Sequence, residues 1–229
     1  MPARTAPCTM RQVDAMAWFG PAFLSLGGAA YGFMADRLAA RWPEHEDGHV
    51  RQADWRTALV VVLAGGAFLA LPARFSEPRD LAVEAAFFAA LVVLLATDLD
   101  QRLLPDEITL PLIPAALLVL LIGWNPVLAG KDLGLASGLA AAVLAPLFLG
   151  VTGVLFRGAL GMGDMKLAVS LGLACGISQL VAGFIVASLA ASVVLVALLV
   201  SRRLGLRSAI PFGPILILAA FLAVLRPIT

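Results

Sequence analysis

The sequence predicts an all-α protein, a polytopic bundle of about eight transmembrane helices. Composition, the spacing of apolar runs and the brevity of the polar connectors predict it together. Of 229 residues, 61% are hydrophobic and 14% charged, with a mean hydropathy of +0.97. Soluble domains are closer to half apolar and a quarter charged, and an oversized core does not explain that gap. The longest polar stretch runs only from Arg41 to Arg56, so no soluble domain is expected.

The apolar stretches fall at 15–38, 57–73, 80–97, 107–123, 133–156, 165–176, 178–200 and 209–225. A helical crossing of the hydrocarbon takes roughly 17–25 residues. The first stretch, Ala15 to Leu38, has no small-residue cleavage site before a mature domain, so it reads as a span rather than a signal peptide. The first two stretches contain Gly27-Gly28 and Gly65-Gly66, small pairs that suit close helix packing. The third ends in the uninterrupted apolar run Leu91 to Thr97, followed by Asp98. The fourth contains Pro111 and Pro114 and the fifth Pro146, residues that kink spans without identifying a ligand. The sixth is short and contains glycine, as a broken or tilted span would. Residues 1–56 read as an opening transmembrane helix with a short cytoplasmic loop, and 57–229 as the core.

Lysine and arginine placement orients the bundle. With the amino terminus outside, the cytoplasmic connections hold Arg37, Arg41, Arg51, Arg56, Arg102, Arg157, Lys166, Arg202, Arg203 and Arg207. The opposite side holds Arg4, Arg11, Arg74, Arg79, Lys131 and Arg226. In that topology Asp98 closes the third span at the cytoplasmic face, and Asp164 opens the sixth at the same face. Net charge is +1, so no basic surface for nucleic acid is implied. The two cysteines, Cys8 and Cys175, form no C-x-x-C pair, and Cys175 reads as an ordinary apolar side chain.

An aspartate at the end of such a run is costly, and intramembrane acids usually mark a functional site. The bland alternative is a helix-end acid reaching water, a role that suits Asp100 better than Asp98. Asp164 sits in Gly161-Met162-Gly163-Asp164-Met165-Lys166. Glycines there allow close approach of another chain and the unusual backbone of a broken helix. A helix amino terminus favours the Asp164 anion, and an N-cap is its bland reading. Lys166 either steers the ionisation of the acids or reaches to the interface. Two carboxylates that share a site cannot both ionise cheaply, so one proton stays between them. One group then acts as base toward water while the other polarises a carbonyl. Peptide hydrolysis by this route needs no metal and no cofactor. A proton-coupled transporter would use the same acids without cleavage, though internal repeats would then be expected. A membrane scaffold would tolerate the loss of both.

At these residues the sequence resembles a known family. Asp98-Leu99-Asp100-Gln101-Arg102-Leu103-Leu104-Pro105-Asp106 and the following Leu110-Pro111 resemble the first block of type IV prepilin peptidases. Gly161-Met162-Gly163-Asp164-Met165-Lys166 is similar to the family's G-x-G-D block, and Ile210-Pro211-Phe212-Gly213-Pro214 to its third. The resemblance implies that Asp98 and Asp164 are the catalytic pair of an aspartyl peptidase. Asp106 is then the second, non-catalytic aspartate of the first block, with Pro105, Gly161, Gly163 and Lys166 supporting the site. It further implies a bacterial inner-membrane enzyme of type IV pilus or type II secretion systems. Such an enzyme cleaves the basic leader of prepilins or pseudopilins after a glycine at the cytoplasmic face. Bifunctional members carry a long loop with two C-x-x-C pairs, associated with N-methylation. The corresponding loop here is short and has no cysteine, so a peptidase without methyltransferase activity is expected. Asp100, Asp106 and Glu107 near the mouth either attract the basic leader or are only solvated helix ends.

His45-Glu46-Asp47-Gly48-His49 satisfies the letter of H-E-x-x-H. Zinc catalysis needs both histidines on one face of a stable helix plus a third ligand. Pro43 precedes the motif, Gly48 interrupts it and the chain has no further histidine, so a solvated loop is the expectation.

Overall fold

The computed structural model describes residues 9–43, 50–155, 161–200 and 212–226. Seven helices form among them: α1 (Thr9–Ala39), α2 (Trp55–Arg74), α3 (Pro78–Gln101), α4 (Asp106–Leu121), α5 (Gly134–Leu155), α6 (Met162–Val200) and α7 (Gly213–Leu225). No strand occurs among the described residues. By length and composition α2, α3, α5 and α6 could each cross a membrane, and α7 is a shorter apolar helix. The all-α expectation holds, and each of the eight apolar stretches falls on a helix.

Seven helices accommodate eight stretches because α6 is interrupted. Gly176 takes φ 68°, ψ 176°, a left-handed geometry that glycine adopts without steric cost. The break frees backbone groups that lipid could not satisfy. Asn125 Nδ2 donates to the carbonyls of Leu173 (3.1 Å) and Ala174 (3.0 Å), and Ile177 N donates to Ser137 Oγ (3.0 Å). A straight α6 would carry Phe184 ~30 Å beyond Asp164. Instead the Phe184 ring packs 6.2 Å from that of Phe212 at the start of α7, and Gly183 lies against Ala219 and Ala223, so the second arm packs against α7.

Helix packing divides into two groups. In the first, α1 lies against α2 and both touch α3. A Cβ on Gly28 would stand 2.6 Å from Phe68 Cβ, and one on Gly65 would stand 3.3 Å from Ala29. Gly28 and Gly65 therefore serve close packing as expected, whereas Gly27 and Gly66 face open space. In the second group α6 packs on α4, α5 and α7. The groups join where α7 meets α3: the rings of Phe88 and Phe221 lie 4.7 Å apart, and Leu91, Leu94 and Ile217 are fully buried. Val143, Leu147, Phe148, Val151, Val181, Ile185, Leu189 and Val193 are exposed on α5 and the second arm of α6. That apolar outer face matches lipid, so helix association rests on shape and buried polar contacts rather than on exclusion of water.

Candidate active site

Asp98 lies in the last turn of α3 and is 5% exposed. The helix stops when Arg102 enters the left-handed region (φ 55°, ψ 38°) and its N–H caps the Asp98 carbonyl at 2.9 Å. A non-glycine residue in that region carries strain, a feature that concentrates at functional sites. Asp98 Oδ2 is buried and has no hydrogen-bond partner among the described residues. Asp164 lies in the first turn of α6 and is 8% exposed. Its Oδ2 accepts the Gly161 N–H at 3.2 Å. Asp164 is thus not the N-cap; it sits three residues inside the helix and reaches back to the cap backbone, half of a capping box. The two carboxylates, from different helix groups, lie within electrostatic reach of each other, and Arg102 bears on Asp98 as well.

The connector from α3 to α4 and the start of α6 are packed together. Leu104 is buried, and a Cβ on Gly163 would stand 2.9 Å from Leu104 Cβ. Gly163 therefore permits close approach, as expected. Neither Gly161 nor Gly163 adopts a positive φ, and the broken-helix geometry expected of them occurs instead at Gly176. Pro105 caps α4, its carbonyl accepting Thr109 N and Thr109 Oγ1, each at 3.1 Å. Lys166 Nζ donates to both oxygens of Asp106 at 2.7 Å, tying α6 to α4.

Gly213 is the residue that sequence reasoning quoted without assigning a role. A Cβ there would meet Asp98 Cγ and Oδ2, both at 2.7 Å. The start of α7 therefore lies against the Asp98 carboxylate, and only a hydrogen fits between them. Phe212 and Pro214 of the same block are described; Ile210 and Pro211 lie outside the described residues. Cys8, Arg157, Arg202, Arg203, Arg207 and the whole of His45-Glu46-Asp47-Gly48-His49 also lie outside them.

The reading of Asp100 as a solvated acid at the mouth is corrected. The Asp100 side chain is 2% exposed, and it does not stand in water. Arg51 Nε binds its Oδ1 at 2.5 Å, and Arg56 Nη1 lies 3.3 Å from the same oxygen. Asp106 is taken up by Lys166. Asp100 is neutralised within the fold, whereas the Asp106 side chain, paired with Lys166, remains 55% exposed. Asp100 belongs to a buried ionic cluster that the sequence did not disclose. Asp36 of α1 is fully buried and accepts from Arg37, from Arg51 Nη2 at 2.5 Å and from Thr57 Oγ1 at 2.8 Å. Burial works against the Arg51 charge. The Asp36 bond and the charges of Asp36 and Asp100 outweigh it and hold the guanidinium above its ordinary value. A charged residue next to another at the end of an apolar run, Asp36-Arg37, was the available signal.

An apolar cleft of about 390 Å³ between α5, α6 and α7 is lined by Leu144, Phe148, Leu171, Leu180, Phe184 and Leu216 among others. No acid lines it.

Fold and site together define a membrane-spanning helical protein that brings two buried carboxylates, from the end of one helix and the start of another, to one end of the bundle. Residues 85–197 match the model of the type IV leader peptidase family. The prepilin leader peptidase/N-methyltransferase of Aeromonas salmonicida (strain A449) is 34% identical over 135 residues, 59% of this chain and 46% of that protein. The Bacillus subtilis (strain 168) protein of the same name is 31% identical over 162 residues, 69% of this chain and 61% of its own length. That of Pseudomonas putida is 35% identical over 137 residues, 59% and 46% of the two chains. The matches thus span between 46% and 61% of the length of these relatives. No solved structure matches. The matched segment contains Asp98, Pro105, Asp106, Gly161, Gly163, Asp164 and Lys166, and ends before Gly213.

Proposed function

We propose that the protein is a membrane-embedded aspartyl endopeptidase that cleaves the basic leader of type IV prepilins or pseudopilins after a glycine. Cleavage takes place at the cytoplasmic face of the bacterial inner membrane, and Asp98 and Asp164 form the acting pair. The observation that carries this reading is the convergence of two buried carboxylates at helix ends, one of them with an unpartnered oxygen.

The two helix ends suggest a division of roles. Asp164 stands at the positive end of α6 and holds a backbone N–H, a setting for a carboxylate acting as base. Asp98 stands at the negative end of α3, where the retained proton is held. Asp164 takes a proton from water as the water oxygen bonds to the scissile carbonyl carbon, while Asp98 donates its proton to the carbonyl oxygen. The tetrahedral adduct collapses as the C–N bond breaks. The hydroxyl proton returns to Asp98 and the proton on Asp164 passes to the leaving amine, which restores the pair. The connector after Asp98 and the start of α6 provide the non-helical surroundings in which an extended substrate backbone would be reached. Pro105, Asp106, Gly161, Gly163 and Lys166 act by fixing that geometry. With a short, cysteine-free segment between α1 and α2, no methyl transfer is expected.

The test is cleavage, by purified protein in detergent, of a prepilin with a basic leader ending in glycine. Asp98→Asn and Asp164→Asn are each expected to reduce kcat by at least about a thousandfold, since residues acting as a unit fail together. Thermal unfolding should stay near wild type, and a chelator should leave the wild-type rate unchanged. Cleavage that survives either substitution would overturn the mechanism.

A further inference from the structure

Asp98 Oδ2 has no hydrogen-bond partner among the described residues, so the placement of Asp98 against Asp164 depends on where α3 ends. Among the groups that hold that end, one guanidinium reaches furthest across the first helix group. Arg51 places each of its three nitrogens on a different aspartate: Nη2 on Asp36 of α1, Nη1 on Asp54 at the N-cap of α2, and Nε on Asp100 of α3, all at 2.5 Å. Lysine has one nitrogen and no fixed fork, so it cannot reproduce this geometry.

The neighbours complete the arrangement. The Arg51 carbonyl accepts Arg37 Nη1 at 3.1 Å. Arg56 Nη1 reaches the Asp100 carbonyl at 3.4 Å, a backbone group that a helix terminus leaves open. Gln101 Nε2 donates to the Pro43 carbonyl at 2.7 Å. An acid in the last turn of a helix opposes the helix dipole, so Asp100 draws the two arginines to this point. Asp36 and Asp54 fix the far side of the guanidinium, and the Arg51 side chain is only 15% exposed.

We propose that Arg51 is a positioning residue for the proposed peptidase: it fixes the carboxyl end of α3 against α1 and α2, and so sets the register of Asp98 opposite Asp164. Asp100 is its partner in that role, two residues beyond the acid it serves. This inference rests on the proposed assignment of the acid pair, and its test includes a readout independent of cleavage.

Spin labels at Leu103→Cys and Met162→Cys, both exposed positions, report the distance between the α3 connector and the start of α6. The background carries Cys8→Ser and Cys175→Ala. In Arg51→Ala the distance distribution is expected to broaden or shift, and kcat to fall on the order of tenfold to a hundredfold, as small misplacements of a reacting group do. KM is expected to stay within about twofold, because the substrate contacts are unchanged. Arg51→Lys should restore the rate only in part. If Arg51→Ala does not fold, Asp100→Asn removes the charge from one of the three bonds and is read in the same two ways. A wild-type kcat per folded molecule together with a wild-type distance distribution overturns the proposal, even if the unfolding temperature drops. If wild type cleaves no leader, the peptidase reading fails, and the label distances still decide whether Arg51 holds the end of α3.

Discussion

At the scale of single residues, the site depends on what is missing as much as on what is present. Gly213 leaves room for the Asp98 carboxylate, which a methyl group would meet at 2.7 Å. Contacts that short force either the carboxylate or the start of α7 to move. Gly213→Ala is therefore expected to lower kcat roughly a hundredfold through displacement of Asp98. The cost in stability should be about 1–3 kcal/mol, as for other overpacking changes. Steady-state cleavage and detergent unfolding curves measured on one preparation separate the two effects. A variant with normal kcat would show that α7 does not confine the acid. Asp98 and Asp164 stood out as candidates in the sequence because an acid beside a long apolar run is conspicuous. The role of Gly213 was not, since nothing local to Phe212-Gly213-Pro214 says which side chain lies opposite.

At the scale of the helix, end geometry does most of the positioning. α3 terminates with Arg102 in the left-handed region, where an L side chain costs about 1–2 kcal/mol relative to glycine. Arg102→Gly is expected to raise stability by roughly 1 kcal/mol, a gain that thermal unfolding would detect. Its electrostatic contact with Asp98 is lost at the same time, so a gain in stability with reduced activity would fit a strained residue retained for the site. The break in α6 behaves differently. The sequence showed a short, glycine-containing sixth stretch, and the structure places the turn at Gly176 and supplies the groups that satisfy it, Asn125 and Ser137. The glycines at 161 and 163 looked equally able to break a helix. Tertiary contact gave Gly163 another use, as the surface on which Leu104 packs.

Across the whole molecule, the acids come from two helix groups that meet through α3 and α7. Their alignment depends on how firmly each group is tied together. In the first group the fully buried Asp36 carboxylate binds Arg37, Arg51 and Thr57. Removing one member of such a cluster leaves buried charge without compensation. Asp36→Ala is expected to destabilise by about 3 kcal/mol, the low end of the usual range because both arginines keep some contact with water. Equilibrium unfolding in detergent would check this, and a change below about 1 kcal/mol would mean the cluster is already solvated. The single Lys166–Asp106 pair in the second group is more exposed, and its coupling in a double-mutant cycle should not exceed about 1 kcal/mol.

By itself the sequence determined the all-helical membrane bundle, the placement of its apolar helices and the two conspicuous acids. Backbone in lipid must satisfy its own hydrogen bonds, so a long apolar run has little choice but helix, and an acid beside such a run stands out against it. Only the tertiary structure decided that Asp100 is neutralised, that Asp106 pairs with Lys166, that Arg51 joins three helices at one guanidinium, and that Gly213 lies against Asp98. Those are pairings between residues far apart in the chain. Local pattern carries the period of a helix and the depth of a charge, but the partner of a buried polar group is fixed only when the helices pack.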